Sequence, residues 1–488
     1  MSHIYTDSAV EISRKVKAGE ISARAVVEAF LDRITKVDGK TGAFLEVFHE
    51  RALKKADEID RKRSEGKPLG RLAGVPIAIK DNIHIKGELT TCSSKILENF
   101  RPPFNATVTD LLEAEDAILI GKTNLDEFAM GSSTQHSAFQ PTYNPWNLKC
   151  VPGGSSGGSA VAVAARMAPL SLGSDTGGSI RQPASLCGIF GFKPTYGRVS
   201  RYGLVAFGSS LDQIGPFAHS IEDIGLIMEV MGQHDPKDST SMPIKGDDYT
   251  AEMKRDIQGM KIGVPYEFLA DLAPEQRAIF DRSIETLKRL GCTVVDVNLN
   301  LLKYSIAIYY ILATAEASTN LARFDGVRYG HRSPKAETLD EVYDLSRQEG
   351  FGKEVKRRIM LGTFVLSSGY QDAFYRKAQK VRSLIIRQYR EAFNRCDLIA
   401  MPVAPSAAFE IGAKKDPLQE YLEDIYTISA NLAGVPAISI PAGFTATGMP
   451  VGLQLTGNQV SDTDVCRAAA AFTRATNFST AMPKLSDV

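Results

Sequence analysis

The first forty residues alternate apolar and polar positions with a helical period. Ala9, Ile12 and Val16 share a face, Gly19 offers a stop, and Ser22 is placed to cap a second helix. On that helix Val27, Phe30, Leu31 and Ile34 form an i, i+3, i+4, i+7 stripe. Further on, the pattern changes to short, continuously apolar runs that end in turn or polar residues. These are Val75–Lys80, Ala117–Lys122, Lys261–Pro265, Thr293–Val297, Leu398–Val403 and Ala437–Pro441, and they predict buried strands. Helical stretches such as Glu275–Leu290 and Ala378–Phe393 separate several of them. Strands interleaved with helices predict an α/β layered protein whose sheet is covered on both faces.

No repeat at solenoid period and no long disordered tail interrupts this order. The polar segment Asp235–Asp248, with Pro236 and Pro243, reads either as a connector between an N-terminal catalytic half and a C-terminal half or as a long surface loop within one domain spanning 1–488. Met1 to Lys17 mixes Asp7, Glu11, Arg14 and Lys15 with apolar residues, so no targeting signal is expected there. The best candidate for a bilayer span, Ala160–Leu172, is short and carries Arg166 and Pro169.

Composition narrows the class. The 488 residues are 43% hydrophobic, enough for a large core, and 57 Lys and Arg balance 57 Asp and Glu. That balance removes a global electrostatic case for nucleic-acid binding, though not a local basic patch. Cys92, Cys150, Cys187, Cys292, Cys396 and Cys466 are scattered with no Cys-x-x-Cys, which argues against a disulfide framework or a structural zinc site. A soluble protein of the reducing cytoplasm is expected.

The most unusual stretch is Pro152-Gly153-Gly154-Ser155-Ser156-Gly157-Gly158-Ser159. Alone it would pass for a flexible linker, but it runs directly into the apolar Ala160–Ala165 and Leu170–Leu172. A second cluster, Gly173-Ser174-Asp175-Thr176-Gly177-Gly178-Ser179-Ile180-Arg181, follows at once. Two glycine-rich turns around a buried element suggest two backbone segments shaped to meet at one site. An acyl-transfer enzyme needs such turns, to expose a serine oxygen and to aim backbone N–H groups at a developing oxyanion. Thr176, Gly177 and Gly178, leading into Ser179, suit that hole.

The serine still needs a base. None of the seven histidines sits in a nucleophile-elbow or metal motif. The literal Gly-x-Ser-x-Gly match at Gly154–Gly158, with Ser156 central, carries little weight in a run made mostly of glycine and serine. A lysine can serve if burial keeps it neutral. Lys80 ends Val75-Pro76-Ile77-Ala78-Ile79, and Lys122 ends Ile118-Leu119-Ile120-Gly121. Gly121-Lys122-Thr123 echoes a phosphate loop, but Asp116 stands where that motif requires its first glycine. Burial alone does not choose between the two lysines.

Taken together, Gly74–Asn82, Gly153–Ser159 and Gly173–Arg181, in that order, resemble the amidase signature family over roughly residues 70 to 220. Thr123–Ser133, Arg323–Gly330, Glu354–Ile359, Ser367–Tyr370 and Asn431–Pro436 are similar to one branch of it, the glutaminase subunits of tRNA-dependent amidotransferases, and extend the likeness over nearly the whole chain. One departure is Thr134-Gln135-His136-Ser137, where many such subunits carry Glu-Asn before the serine.

The resemblance implies an α/β/α sandwich around a single large mixed β-sheet. It also implies a catalytic triad of Lys80, Ser155 and Ser179, choosing Lys80 over Lys122, with a cis Gly154–Ser155 peptide. Ser179 would attack the side-chain amide of glutamine, while Ser155 passes its proton to neutral Lys80. Arg358 would grip the substrate carboxylate and Asp424 its ammonium, with Arg357 as rival binder and an ordinary helix-surface acid as the alternative for Asp424. Tyr309 would line the pocket, in competition with Tyr310 and with plain core packing. Arg181 and Asp175 read as structural. The chain itself is expected to hold no metal or cofactor. ATP and Mg would be used on a kinase-like partner, the B subunit, beside a small wrapping partner, the C subunit, with charged tRNA reached through the complex. A free-standing amidase on small or fatty amides and a catalytically dead scaffold are the competing readings.

Overall fold

The computed structural model describes residues 4–413 and 416–485. Both N-terminal helices form where the periodicity predicts them. Ala9–Ala18 starts with the Ser8 side chain accepting from the Glu11 N–H and stops at Gly19, and Ala23–Thr41 is capped by Ser22, which accepts from the Ala25 N–H. Their striped faces are fully buried.

Eleven strands follow in chain order: β1 (Phe44–Val47), β2 (Pro76–Lys80), β3 (Ile118–Thr123), β4 (Leu170–Asp175), β5 (Phe190–Lys193), β6 (Gln213–Ala218), β7 (Lys261–Val264), β8 (Thr293–Asp296), β9 (Leu398–Pro402), β10 (Ala437–Phe444) and β11 (Pro450–Gly457). They form one mixed sheet in the order β1-β3-β2-β4-β6-β5-β10-β11-β9-β7-β8. Toward its β1 edge, β3, β2 and β4 run parallel, with Ile77 opposite both Leu119 and Leu170.

All six predicted strands are present, but β8, at the sheet edge, is half-exposed rather than buried. Three of the five others hold residues that mask a strand pattern: Ser171, Gly173, Ser174 and Asp175 in β4, Gln213 and Pro216 in β6, Gln454 and Thr456 in β11. Tertiary partners balance the burial of several of those polar side chains, such as the Ser159 carbonyl that accepts from Ser171 Oγ and the Val199 carbonyl that accepts from Gln213 Nε2.

Successive strand residues point to opposite faces, and here each face has its own core. Leu398 and Ala400 of β9 belong to one apolar cluster, Ile399 and Met401 to another. Helices therefore cover both sides of the sheet, as expected. Strands from both sides of Asp235–Asp248 join this sheet. That segment is a loop tied back to earlier chain, with the Asp235 carboxylate accepting from Ser200 Oγ at 2.6 Å and that of Asp238 from the Arg201 N–H at 2.8 Å. Ala160–Leu172 divides between the helix Gly157–Ala164 and β4, and among the described residues no helix is long and apolar enough to cross a membrane.

Candidate active site

Lys80 is the last residue of β2, a strand buried along its whole length. Its Nζ donates to Ser155 Oγ at 2.8 Å, Ser156 Oγ at 2.8 Å and Ser174 Oγ at 2.9 Å. β2 and β4 run side by side, with Ile79 opposite Leu172, so the ends of the two strands that carry Lys80 and Ser174 lie together. Asn82 Nδ2 also donates to Ser174 Oγ, at 2.9 Å. Among the described residues no carboxylate lies within ion-pair distance of Lys80. Burial drives its pKa from the ordinary 10.5 down to about 7, only partly offset by the more distant Asp126, Asp175 and Asp212. A large fraction of the amine is thus uncharged at neutral pH.

The two glycine-rich runs meet edge to edge, as their composition suggests: the Ser156 N–H donates to the Ser179 carbonyl at 3.2 Å. The Gly154–Ser155 peptide bond is cis, as the resemblance implies. Ser179 is 8% exposed, on a loop shaped by Asp175. That carboxylate accepts the N–H groups of Gly178 at 2.8 Å and Ile180 at 3.1 Å, and it pairs with Arg181 at 3.0 Å. Burial alone would raise the Asp175 pKa, but Arg181 brings it down to about 2. Arg181 is anchored in turn on the Thr427 carbonyl at 2.9 Å and on Gln454 Oε1 at 2.7 Å. Both residues are structural, as read.

Asp175 also takes up one of the three amides expected to form an oxyanion hole. Because the Gly178 N–H is already engaged, the donors left free of protein partners among the described residues are the amides of Thr176, Gly177 and Ser179 itself. Asp212 steadies the same loop, accepting from Thr176 Oγ1 at 2.6 Å, with its pKa pushed up by burial to about 6. On the far side of Asp212 lies a cavity of about 620 Å³ walled by His84, Phe104, Tyr202 and Tyr329. It is separate from Lys80 and Ser179, neither of which lines it.

Tyr309, on the helix Ser305–Asn320, packs on the nucleophile loop: a Cβ placed on Gly177 would lie 2.8 Å from its ring and 2.9 Å from its hydroxyl. Tyr310 instead faces Arg358, at 5.1 Å from guanidinium carbon to ring centre, and stacks on Tyr421 at 3.9 Å. The structure therefore places Tyr309, not Tyr310, at the reacting end.

Arg358 is buried, whereas the Arg357 side chain is 44% exposed. Arg358 Nε pairs with Glu354 at 2.8 Å, so the structural ion pair exists, but only through that nitrogen. Its two terminal nitrogens have no protein hydrogen bond among the described residues, and Phe207, Tyr310 and Tyr421 surround it. Asp424 is not a helix-surface acid. It is 8% exposed, accepts from Ser132 Oγ at 2.6 Å, and its Oδ1 lies 3.3 Å from where a Gly178 Cβ would stand. Burial raises its pKa to about 7, against the Ser132 hydrogen bond.

Several site residues escaped the sequence reading. Ser156, Ser174 and Asn82 lay inside the quoted motifs, and reading β4 as a strand would have singled out Ser174. Glu354 stands four residues before Arg358, a readable helical ion pair. Phe207, Tyr421 and Ser132 carry no local signal.

A largely neutral lysine bonded to three serine hydroxyls, near a loop that carries a further serine and free amides, has the makings of an acyl-transfer site in which lysine stands where histidine is usual. The chain belongs to the amidase family, whose model (Amidase) matches residues 25–466. It is 63% identical over 482 residues to the A subunit of the glutamyl-tRNA(Gln) amidotransferase of Protochlamydia amoebophila (strain UWE25), covering 99% of both chains. The crystal structure of the A subunit of glutamyl-tRNA(Gln) amidotransferase from Thermotoga maritima superposes with a TM-score of 0.84 at 42% identity, covering 100% of this chain and 99% of that one. A bacterial aryl acylamidase of the amidase signature family gives a TM-score of 0.86 at 27% identity, with 97% of each chain covered.

Proposed function

We propose that this chain is the glutamine-hydrolysing subunit of a tRNA-dependent amidotransferase, using Ser179 as nucleophile with Ser155 and Lys80 moving its proton. The observation that carries the reading is the pair Arg358 and Asp424, both buried and both close enough to Tyr309 to act on its hydroxyl. An apolar amide would leave the two terminal nitrogens of Arg358 and Oδ1 of Asp424 without a hydrogen bond, at a desolvation cost that an amino acid's own carboxylate and ammonium remove. The name borne by the relative that matches along its full length supports the same choice.

In this mechanism Ser179 Oγ attacks the glutamine side-chain carbonyl as its proton passes to Ser155 and from Ser155 to Lys80. Negative charge gathers on the carbonyl oxygen, where the amides of Thr176 and Gly177 meet it. Lys80 then returns the proton to the departing nitrogen, the C–N bond breaks, and ammonia leaves a glutamyl ester on Ser179. Water, deprotonated by the same relay, frees glutamate and restores the serine. The ammonia is consumed on the kinase-like B subunit, where ATP and Mg activate the charged tRNA, with the small C subunit completing the assembly. A cytoplasmic setting suits the six free, buried cysteines.

The test is reconstitution with both partner subunits, ATP and charged tRNA. Ser179→Ala abolishes ammonia release from glutamine, while added ammonium still supports amidation by the assembled complex. Turnover of acetamide or fatty amides with indifference to glutamine would establish the free-standing amidase instead.

A further inference from the structure

We propose that Gln135 and His136 are positioning residues that hold the segment carrying Asp424 against the active site, and so set the affinity for a substrate with an α-ammonium group. This rests on the glutamine reading and extends it to residues outside the pocket.

The segment needs such a hold. Between Ile411, whose N–H donates to the Lys149 carbonyl at 2.9 Å, and Asp424 it contains one short α-helix, Pro417–Tyr421, running into a 3-10 turn, Leu422–Asp424, and no strand among the described residues. Its leucines point outward, Leu418 at 57% and Leu422 at 44% exposure, so these side chains contribute little apolar burial. Tyr421 stacks on Tyr310 at 3.9 Å and donates to Glu354 at 2.8 Å; the other contacts that take that part are polar and go to one loop. Gln135 Oε1 accepts from the Gly412 N–H at 2.8 Å, His136 Nε2 meets Glu420 Oε2 at 3.0 Å, and Ser132 Oγ donates to Asp424 Oδ2 at 2.6 Å.

The loop is itself registered to the catalytic serine. Asp126 accepts the N–H groups of Ser133 at 3.3 Å, Thr134 at 2.9 Å and His136 at 3.2 Å, while its own N–H donates to the Ser155 carbonyl at 3.2 Å. A short polar chain thus runs from Ser155 through Asp126 and His136 to Glu420, four residues before Asp424. Burial opposes charge on His136, but Glu420 and Asp126 raise its pKa to about 9, so an imidazolium stands between two carboxylates.

The test compares glutamine with glutaramate, which lacks only the α-amino group, on the chain assembled with its partner subunits. His136→Asn keeps a similar size and removes the charge. It raises KM for glutamine about fivefold to twentyfold, as expected for a lost charge-assisted hydrogen bond, with kcat within about twofold and KM for glutaramate unchanged. Glu420→Gln does the same, and the double variant is no worse than either single, because both remove one interaction. If His136→Asn fails to fold, Gln135→Ala carries the same comparison through Gly412. An unchanged glutamine KM, an equal rise for both substrates, or a loss confined to kcat overturns the proposal. A wild-type complex that hydrolyses neither substrate, or treats both alike, instead overturns the underlying glutamine reading.

Discussion

Lys80 and Lys122 end adjacent parallel strands, with Ile79 opposite Lys122, and both are fully buried. Their surroundings differ in one respect. Lys122 has a carboxylate, Asp81, at 2.9 Å, and completes its shell with the carbonyls of Ile83 and Leu89 and the Thr90 hydroxyl, each at 3.0 Å. Lys80 has three serine hydroxyls and no carboxylate in contact among the described residues. Asp81 follows Lys80 directly in the chain yet pairs with the other lysine, because neighbouring residues at the end of a strand point to opposite faces. Burying an amine therefore has two outcomes. With a counter-ion it is a cation locked into the fold; among hydroxyls alone it is a base.

The largest effect expected is from Lys80→Met. Glutamine hydrolysis falls by about 10³- to 10⁴-fold in kcat/KM, while urea denaturation shows no loss of stability, since no ion pair is broken. A Lys80→Met chain that still releases ammonia at the original rate breaks the comparison. Next comes Lys122→Met, which leaves Asp81 buried without its counter-ion, held only by the Thr91 N–H and hydroxyl, and costs about 3–5 kcal/mol of stability, with turnover per folded molecule retained. Adding Asp81→Asn recovers part of that loss and sharpens the contrast; a Lys122 variant that loses turnover but not stability reverses the assignment.

The pH dependence is a smaller effect with a definite sign. Lys80 works only when neutral and its pKa is about 7, so log kcat/KM rises by about one per pH unit below that value and levels off above it. The unfolded chain, with an ordinary lysine near 10.5, binds one more proton than the folded chain between pH 7 and 10.5. The Lys80 contribution to stability therefore rises with pH across that window, and Lys80→Met removes both effects. A rate profile flat from pH 5 to 9 would disqualify Lys80 as the base. The smallest change is Ser174→Ala, which deletes one of three hydroxyl partners and lowers kcat about twofold to tenfold, measurable in the same ammonia assay.

What was legible in the chain follows from how local each signal is. The Ser8 and Ser22 caps, the stripe from Val27 to Ile34 and the apolar run into Lys80 all act within a few residues, and they formed as predicted. β4 and β6 stayed hidden because Ser174, Asp175 and Gln213 look like loop residues until their partners are known. The glycine-rich runs announced that their two segments would meet, as Ser156 and Ser179 do, but nothing near Gly178 announced that Asp175 would occupy its amide. Arg357 and Arg358 were equivalent on paper; a single residue step around helix Lys353–Leu366, about 100°, turns the first toward water and the second among three rings.

The amino-acid order by itself determined both N-terminal helices, six of the strands and the two glycine-rich runs of the site, because periodicity, capping and turn chemistry depend on residues close together along the chain. Only the assembled fold decided which lysine lost its charge, which arginine faced inward and which amides stayed open. Those outcomes depend on distances between residues up to hundreds of positions apart, such as Ser132 and Asp424, and a proton's affinity for an amine responds to whatever charge or hydroxyl the fold brings within a few ångströms of it.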